Sequence, residues 1–399
     1  MSNAKFTQKI KSCNILVINH EHRKGGVGHV LRDFLLKHYV KNLLFIAHPL
    51  LYAKEMYKES SYFEFYTKGK LIKKSKGFHW RLPEAILYFK DFIYSIFWVY
   101  KTGLKYDCIV ALDPLNSIAA LVLKFLGKAE KVVYYSIDYF PTRFNNPIMN
   151  RIYHLIDKIS VRFCDETWNV GGRMSKARSE FNNMKGPKYL IRQHHVPIGV
   201  WFSRIKKKPL DKFDDRRLVF AGHFISYMGV DLVIKSLPKI IKKIPNIKLD
   251  LVGGGEEKQA WQKLAKKLGV EKNINYQDWI SDREKFHFYL SEAAVGLAPF
   301  NIKILDDKVK NADPGKIKDY TSVGLPVITT KAVYTWRDIE NSRSGIIINY
   351  KGSDFVNAVL KLLADRKLLL NYRKNALEYA RQFDWEEIFT KNISRVLSF

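Results

Sequence analysis

Two successive series of alternating strands and helices predict an α/β protein of two doubly wound, Rossmann-like domains, with a cleft between them for ligands. Three observations carry this expectation. Short apolar runs alternate with longer amphipathic ones through most of the 399 residues. Glycine, histidine, aspartate and proline gather just after the apolar runs, where strands of such sheets present functional groups. A lysine-rich stretch, 203–215, separates the two series and reads as the linker, giving domains 1–202 and 203–382.

In the first series, 15–19 reads as a strand. Gly25-Gly26-Val27-Gly28-His29 follows, then a helix over 30–39 and a strand over 43–48. Residues 106–112 and 131–136 are later strands, the first running into Asp113-Pro114 and the second into Ile137-Asp138. Strands at 167–169 and before Val196 complete the series. The second series has strands at 218–221, 248–252, 274–276, 294–298, 326–329 and 345–348. Its helices fall at 230–240, 258–268, 283–291, 355–363 and 366–378.

The region 68–98 breaks the rhythm. Lys68, Lys70, Lys73, Lys74, Lys76 and Arg81 form a basic run around Phe78 and Trp80. A helix follows, carrying Ile86, Leu87, Phe89, Phe92, Ile93, Ile96, Phe97 and Trp98. Charge beside apolar surface suits an anionic membrane surface; a buried crossover helix with a solvated basic loop is the competing reading. The whole chain carries 68 Lys and Arg against 39 Asp and Glu, a formal charge of +29, which favours anionic partners without choosing among them. No helix-turn-helix or zinc pattern accompanies that charge, so nucleic acid is not the expected partner. Cys13, Cys108 and Cys164 have no metal-ligand spacing, and no metal or organic cofactor is expected. The sequence shows neither a signal-peptide pattern nor an uncharged run of membrane-spanning length. The expected location is cytoplasmic, with peripheral attachment to the inner face of the membrane as an extension.

The most informative stretch is Pro314-Gly315-Lys316-Ile-Lys-Asp319-Tyr320, running into Gly324-Leu-Pro326-Val-Ile-Thr-Thr. It reads as a helix start followed by a glycine turn and a buried strand. Proline suits the first helical turn. The unpaired N–H groups and partial positive charge of that turn can hold an anion. Lys316 and Asp319, three apart, share a face. The lysine can meet phosphate or sugar, and the carboxylate can accept hydroxyls. Asp319 would also serve simply as a favourable helix-start acid. Asn311 and Asp313 precede the helix and either reach the sugar or cap it.

From these residues the second half resembles the retaining GT-B glycosyltransferases of family 4. The likeness rests on Phe220-Ala-Gly222, Gly229-Val-Asp231-Leu, Leu251-Val-Gly253-Gly-Gly255, Gly296-Leu-Ala-Pro299, and the Lys316–Asp319 motif with Gly324-x-Pro326-Val327, all in the family's order. Val196-Pro197-x-Gly199-Val200 is similar to its approach to the linker. Phe383-Asp-Trp385 is similar to the start of its terminal helix, so 383–399 is expected to pack back on the first domain. The resemblance implies a nucleoside-diphosphate-sugar donor on the second domain and a glycan or lipid-linked acceptor on the first. Three positions depart from it: the family's diphosphate-binding Arg and Lys are here His223 and Met228, and its first motif glutamate falls on Asn311. A weaker resemblance links the chain to inverting, peripheral-membrane glucuronosyltransferases of bacterial exopolysaccharide synthesis, which also keep the lysine without that pair.

The donor-binding candidates are therefore Gly26, Gly28, Gly222, His223, Met228, Trp279, Asp313, Gly315, Lys316 and Asp319. Glu256 and Glu257 could meet a ribose, and the loop at Asp278-Trp279-Ile280 could read the base, although Trp279 could equally be core. The catalytic candidates are Asp138, Asp113 and His29. A carboxylate in the first domain would deprotonate the acceptor in an inverting reaction and orient it in a retaining one. His20, Glu21 and His22 also lie at a strand's carboxyl end, but adjacent side chains diverge and make no metal cluster. A non-catalytic nucleotide-sugar-binding scaffold is the alternative function, and a basic nucleic-acid-binding protein a remote one.

Overall fold

A computed structural model describes residues 3–21, 26–50, 59–79, 83–305 and 314–398. The chain forms two units, Met1–Ile198 with Glu386–Phe399, and Gly199–Trp385. In the first, α1 (Asn3–Ile10), β1 (Asn14–Glu21), α2 (Val27–Lys37) and β2 (Asn42–Pro49) lead into β3 (Tyr62–Thr67), β4 (Lys70–Lys76) and α3 (Glu84–Thr102). Then come β5 (Tyr106–Leu112), α4 (Pro114–Phe125), β6 (Ala129–Ser136), α5 (Pro147–Phe163), β7 (Glu166–Asn169), α6 (Met174–Phe181), α7 (Pro187–Leu190) and β8 (Gln193–His195). The sheet order is β4-β3-β2-β1-β5-β6-β7-β8. It is parallel except for the antiparallel pairs β2–β3 and β3–β4. The order reverses between β1 and β5, so their carboxyl ends form the crevice where ligands of such sheets bind. Ile18 pairs with Ala111, which brings His20 beside Asp113 although 93 residues separate them.

The basic run lies mainly on β4, an exposed edge strand, rather than in a loop. Lysines on such an edge discourage further strand pairing. Trp80 and Arg81 lie outside the described residues. Helix α2 starts three residues before the expected position, with Gly26 as its N-cap. A Cβ on Gly28 would fall 2.6 Å from Asn19 Cγ, so this glycine lets α2 approach β1. Deeper in the unit, Asp157 and Arg178 form a fully buried ion pair at 2.8 Å, and Ser136 and Asn169 take further guanidinium N–H groups.

In the second unit, β9 (Arg217–His223), α8 (Val230–Ile241), β10 (Lys248–Gly254), α9 (Lys258–Lys267), β11 (Ile274–Gln277), α10 (Arg283–Ser291) and β12 (Val295–Ala298) precede α11 (Gly315–Ser322). The chain continues through β13 (Val327–Thr330), α12 (Trp336–Asn341), β14 (Gly345–Ile348), α13 (Gly352–Ala364) and α14 (Arg366–Arg381). The sheet is wholly parallel, ordered β11-β10-β9-β12-β13-β14, with its reversal between β9 and β12. Such strands are covered on both faces, which explains their near-continuous apolar runs.

The stretch 203–215, expected as a linker, packs into this unit instead. Leu210 O accepts from Arg373 Nε at 3.0 Å, and the Arg373 guanidinium lies 4.1 Å from the Phe213 ring centroid. The last helix, α15 (Trp385–Val396), carries the chain back into the first unit. There Arg395 pairs with Glu166, and Phe389 packs at 5.3 Å from Phe34.

Candidate functional site

In the second unit, β9 ends at Gly222 and His223, and α11 begins at Gly315 and Lys316. The Lys316 Nζ lies 4.1 Å from the Phe220 ring centroid and 5.4 Å from that of Phe300, and donates to Met228 Sδ at 3.1 Å. Among the described residues no carboxylate pairs with it. Burial without a counter-charge pulls its pKa down from 10.5 to about 7. Gly222 (φ 145°) makes room for the lysine: a Cβ there would fall 2.8 Å from Nζ.

Asp319 lies one turn further along α11. Its Oδ1 accepts from Arg283 and lies 3.1 Å from His287 Nε2. Burial alone would raise this carboxylate's pKa, but His287 and Arg283 outweigh it and hold the group below its usual range. Trp279 is 52% exposed and meets His223 edge-on at 4.8 Å between ring centroids, so it belongs to the rim and not to the core. Asn311 and Asp313 lie outside the described residues.

The first unit holds a cavity of about 900 Å³ at the carboxyl ends of β1 and β5. Its walls are mostly apolar, with Phe89 and Phe92 from α3 and Met149 and Ile152 from α5. Asn19, His20, Asp113, Asp138 and Arg143 supply the polar part. Gly26 lines this cavity, whereas Gly28 serves the helix approach described above.

Asp138 pairs with Arg143 at 2.7 Å. Its side chain is 43% exposed, but into the cavity, where surrounding protein still limits its hydration. That burial raises its pKa; Arg143 opposes the shift and Asp113 adds to it. Asp113 sits at φ 78°, an unfavourable region for a residue with a Cβ, and caps α4 by accepting Asn116 N–H at 3.0 Å. His20 Nδ1 meets its other oxygen at 2.6 Å.

His29 does not line the cavity. It is 6% exposed, with Nε2 3.2 Å from both Glu21 and the Tyr62 hydroxyl. Glu21 lines the cavity, so His29, expected among the reacting groups, lies behind one of its wall residues. His22 lies outside the described residues. The sequence reading missed Asp91, Arg143, Arg283 and His287. Asp91 carried a usable signal, a lone acid in the strongly apolar run of α3, because buried acids require partners.

Two Rossmann-like α/β units of this topology define the GT-B architecture, the fold shared with solved glycosyltransferase structures. Among them is Anabaena HepE in complex with UDP-glucose (TM-score 0.63, 14% identity, covering 97% of this chain and 99% of that one). Residues 202–382 match the family described as glycosyl transferases group 1. An uncharacterized glycosyltransferase of Haemophilus influenzae is 27% identical over 124 residues, 31% of this chain and 32% of the relative. A GDP-mannose-dependent alpha-(1-6)-phosphatidylinositol monomannoside mannosyltransferase of Mycobacterium tuberculosis is 22% identical over 229 residues, 54% of this chain and 58% of the relative. The matches thus span less than two thirds of these relatives.

Proposed function

We propose that the protein transfers a sugar from a nucleoside diphosphate to a hydroxyl of a glycan or lipid-linked acceptor. The observation that carries this reading is the Lys316 ammonium at the start of α11, half-buried with no carboxylate partner among the described residues. An unpaired buried cation is costly, and a diphosphate would relieve that cost. As the sugar leaves, negative charge grows on the diphosphate. Lys316 and the first N–H groups of α11 then stabilise that charge. His223 adds a hydrogen bond where the resembled family has an arginine. Asp319 takes ribose or sugar hydroxyls, and the exposed face of Trp279 packs beside the base.

In the first unit, Asp138 receives the acceptor hydroxyl. Its raised pKa suits a general base. In an inverting transfer Asp138 takes the proton; in a retaining one, as in the family 4 likeness, it orients the hydroxyl. We read the apolar cavity as the seat of a lipid-linked acceptor, in keeping with the phosphatidylinositol mannoside named for the mycobacterial relative.

Surface composition supports attachment to an anionic bilayer. Helix α3 exposes Phe89 (65%), Ile93 and Phe97, and α5 exposes Ile148 (67%), Ile152 and Leu155, each set at helical spacing. Phe89 and Ile152 also line the cavity, so apolar surface continues into it. The lysines of β4 lie on the same unit. No helix among the described residues is long and apolar enough to cross a membrane.

Incubation with UDP-, GDP- and ADP-sugars and bacterial lipid extract tests the reading, and the product's anomeric configuration assigns the role of Asp138. Donor binding without transfer to any lipid or glycan would favour the scaffold reading, which the replacements at His223 and Met228 motivate. Absence of donor binding would overturn both.

A further inference from the structure

We infer that Asp91 and His20 are positioning residues, a buried pair that holds the Asp113 carboxylate in place at the polar end of the first unit's cavity. The inference rests on reading that cavity as the acceptor site. Asp113 is fixed from two sides: one oxygen accepts the Asn116 backbone N–H, and the other meets His20 Nδ1 at 2.6 Å and Asn116 Nδ2 at 2.9 Å. The two N–H groups of the Asn116 amide go to Leu112 O at 2.8 Å and to Asp113 Oδ2, so its 3.0 Å approach to His20 Nδ1 does not require that nitrogen to accept. His20 Nδ1 therefore keeps its proton for Asp113.

The far side of the ring decides the charge. His20 Nε2 and Asp91 Oδ2 are both buried, neither has a hydrogen-bond partner, and they face each other at 3.6 Å. With Nδ1 protonated, a neutral ring would aim its Nε2 lone pair at a carboxylate. A doubly protonated ring instead presents N–H to an acid at each end. Burial disfavours that charge, but Asp113 and Asp91 together overcome it and raise the pKa to about 10.

The other neighbours fit this arrangement. His48, 5.2 Å away between ring centroids, is pushed towards neutrality by burial and is engaged at both nitrogens by Ser61 and Ser95. Tyr88 packs edge-on at 5.8 Å. Asp91 is itself anchored by Ser61 at 2.8 Å and Lys90 at 3.0 Å. His20 and Asp91 are 3% and 1% exposed, whereas Asp113 is 29% exposed, so the carboxylate is the member most open to an acceptor hydroxyl. No proton needs to leave the imidazole; its task is to fix the direction of the acid.

Ring 1H–15N NMR of His20 in the full chain, from pH 6 to 9, tests the pair without requiring turnover. The wild type should remain doubly protonated at pH 8, and Asp91→Asn should have lost the second proton by then. In transfer to a polyprenyl-diphosphate-linked sugar, with whichever donor supports turnover, Asp91→Asn should raise the acceptor KM about tenfold and leave the donor KM within about twofold. A neutral His20 at pH 7 in the wild type would overturn the inference. So would an unchanged ring titration in Asp91→Asn, or an equal rise in both KM values with a lowered melting temperature. If Asp91→Asn does not fold, Asp113→Asn takes its place in the titration, with the same loss expected. If no donor supports turnover, the transferase reading fails while the titration still decides the state of the pair.

Discussion

Donor binding should take up a proton, and Lys316 should be its source of pH dependence. The free protein holds this side chain at a pKa of about 7, because apolar atoms surround it and no acid among the described residues answers it. A sugar-linked diphosphate has no further ionisation near neutral pH, so the change belongs to the protein. Placing its phosphates against Nζ raises the lysine pKa, which makes binding strongest below the free pKa and weaker as pH rises through it. Uptake should be about 0.5 proton per site at pH 7 and about 0.9 at pH 8, with affinity falling about tenfold per unit above pH 7, or about 1.4 kcal/mol. Calorimetry in two buffers of different ionisation enthalpy measures both quantities. Lys316→Arg should bind without uptake, since its guanidinium stays charged. Lys316→Met should lose donor affinity by at least about tenfold while melting about 2–4 °C higher without ligand, if removing the unpaired charge gains about 1 kcal/mol. The folded pKa lies below the unfolded one, so this lysine makes unliganded stability rise from about pH 7 towards 10.5. Uptake near zero at pH 8, or wild-type donor affinity in Lys316→Met, would refute the reasoning.

Asp138→Asn should lower turnover by about 10²–10⁴ if the reaction inverts, with donor affinity within about twofold of wild type by calorimetry. Phe89→Asp with Ile152→Asp should reduce sedimentation with anionic vesicles at least tenfold, because each exposed apolar side chain offers about 1.5–3 kcal/mol on burial. Neutral vesicles should bind the wild type more weakly. Arg178→Met should destabilise the first unit by about 3–5 kcal/mol, since it leaves the fully buried Asp157 without its partner. Chemical denaturation read by first-unit fluorescence measures that loss.

The donor half was readable because its signals are local. Lys316, Asp319 and Gly324 lie within nine positions, and the helix start, the turn and the strand each need particular residue types. The acceptor half depends on pairs that the chain order conceals. His20 meets Asp113 only because β1 and β5 are neighbours in register, and Asp91 arrives on a helix the sequence reading left outside the regular pattern. Strand β4 was hidden for a different reason. It is an edge strand exposed along nearly its whole length, so no apolar alternation betrays it. The burial of His29 was not legible, because position after a strand does not tell which way the following helix turns its first side chains.

The distribution of charge separates two roles that net charge alone merges. The donor site presents one half-buried ammonium among aromatic rings, with an imidazole at its rim, and that is a small part of an excess of 29 positive charges. Most of the surplus therefore lies elsewhere, and β4 shows one such place, with lysines on an exposed edge. The two kinds of cation also differ in physics. Exposed lysines attract an anionic surface over about a Debye length and are screened by salt, whereas Lys316 acts at contact among rings that exclude water. Salt that loosens attachment to a bilayer should therefore leave donor affinity nearly unchanged, which ties the strong basicity of the chain to where it works and the half-buried Lys316 to what it binds.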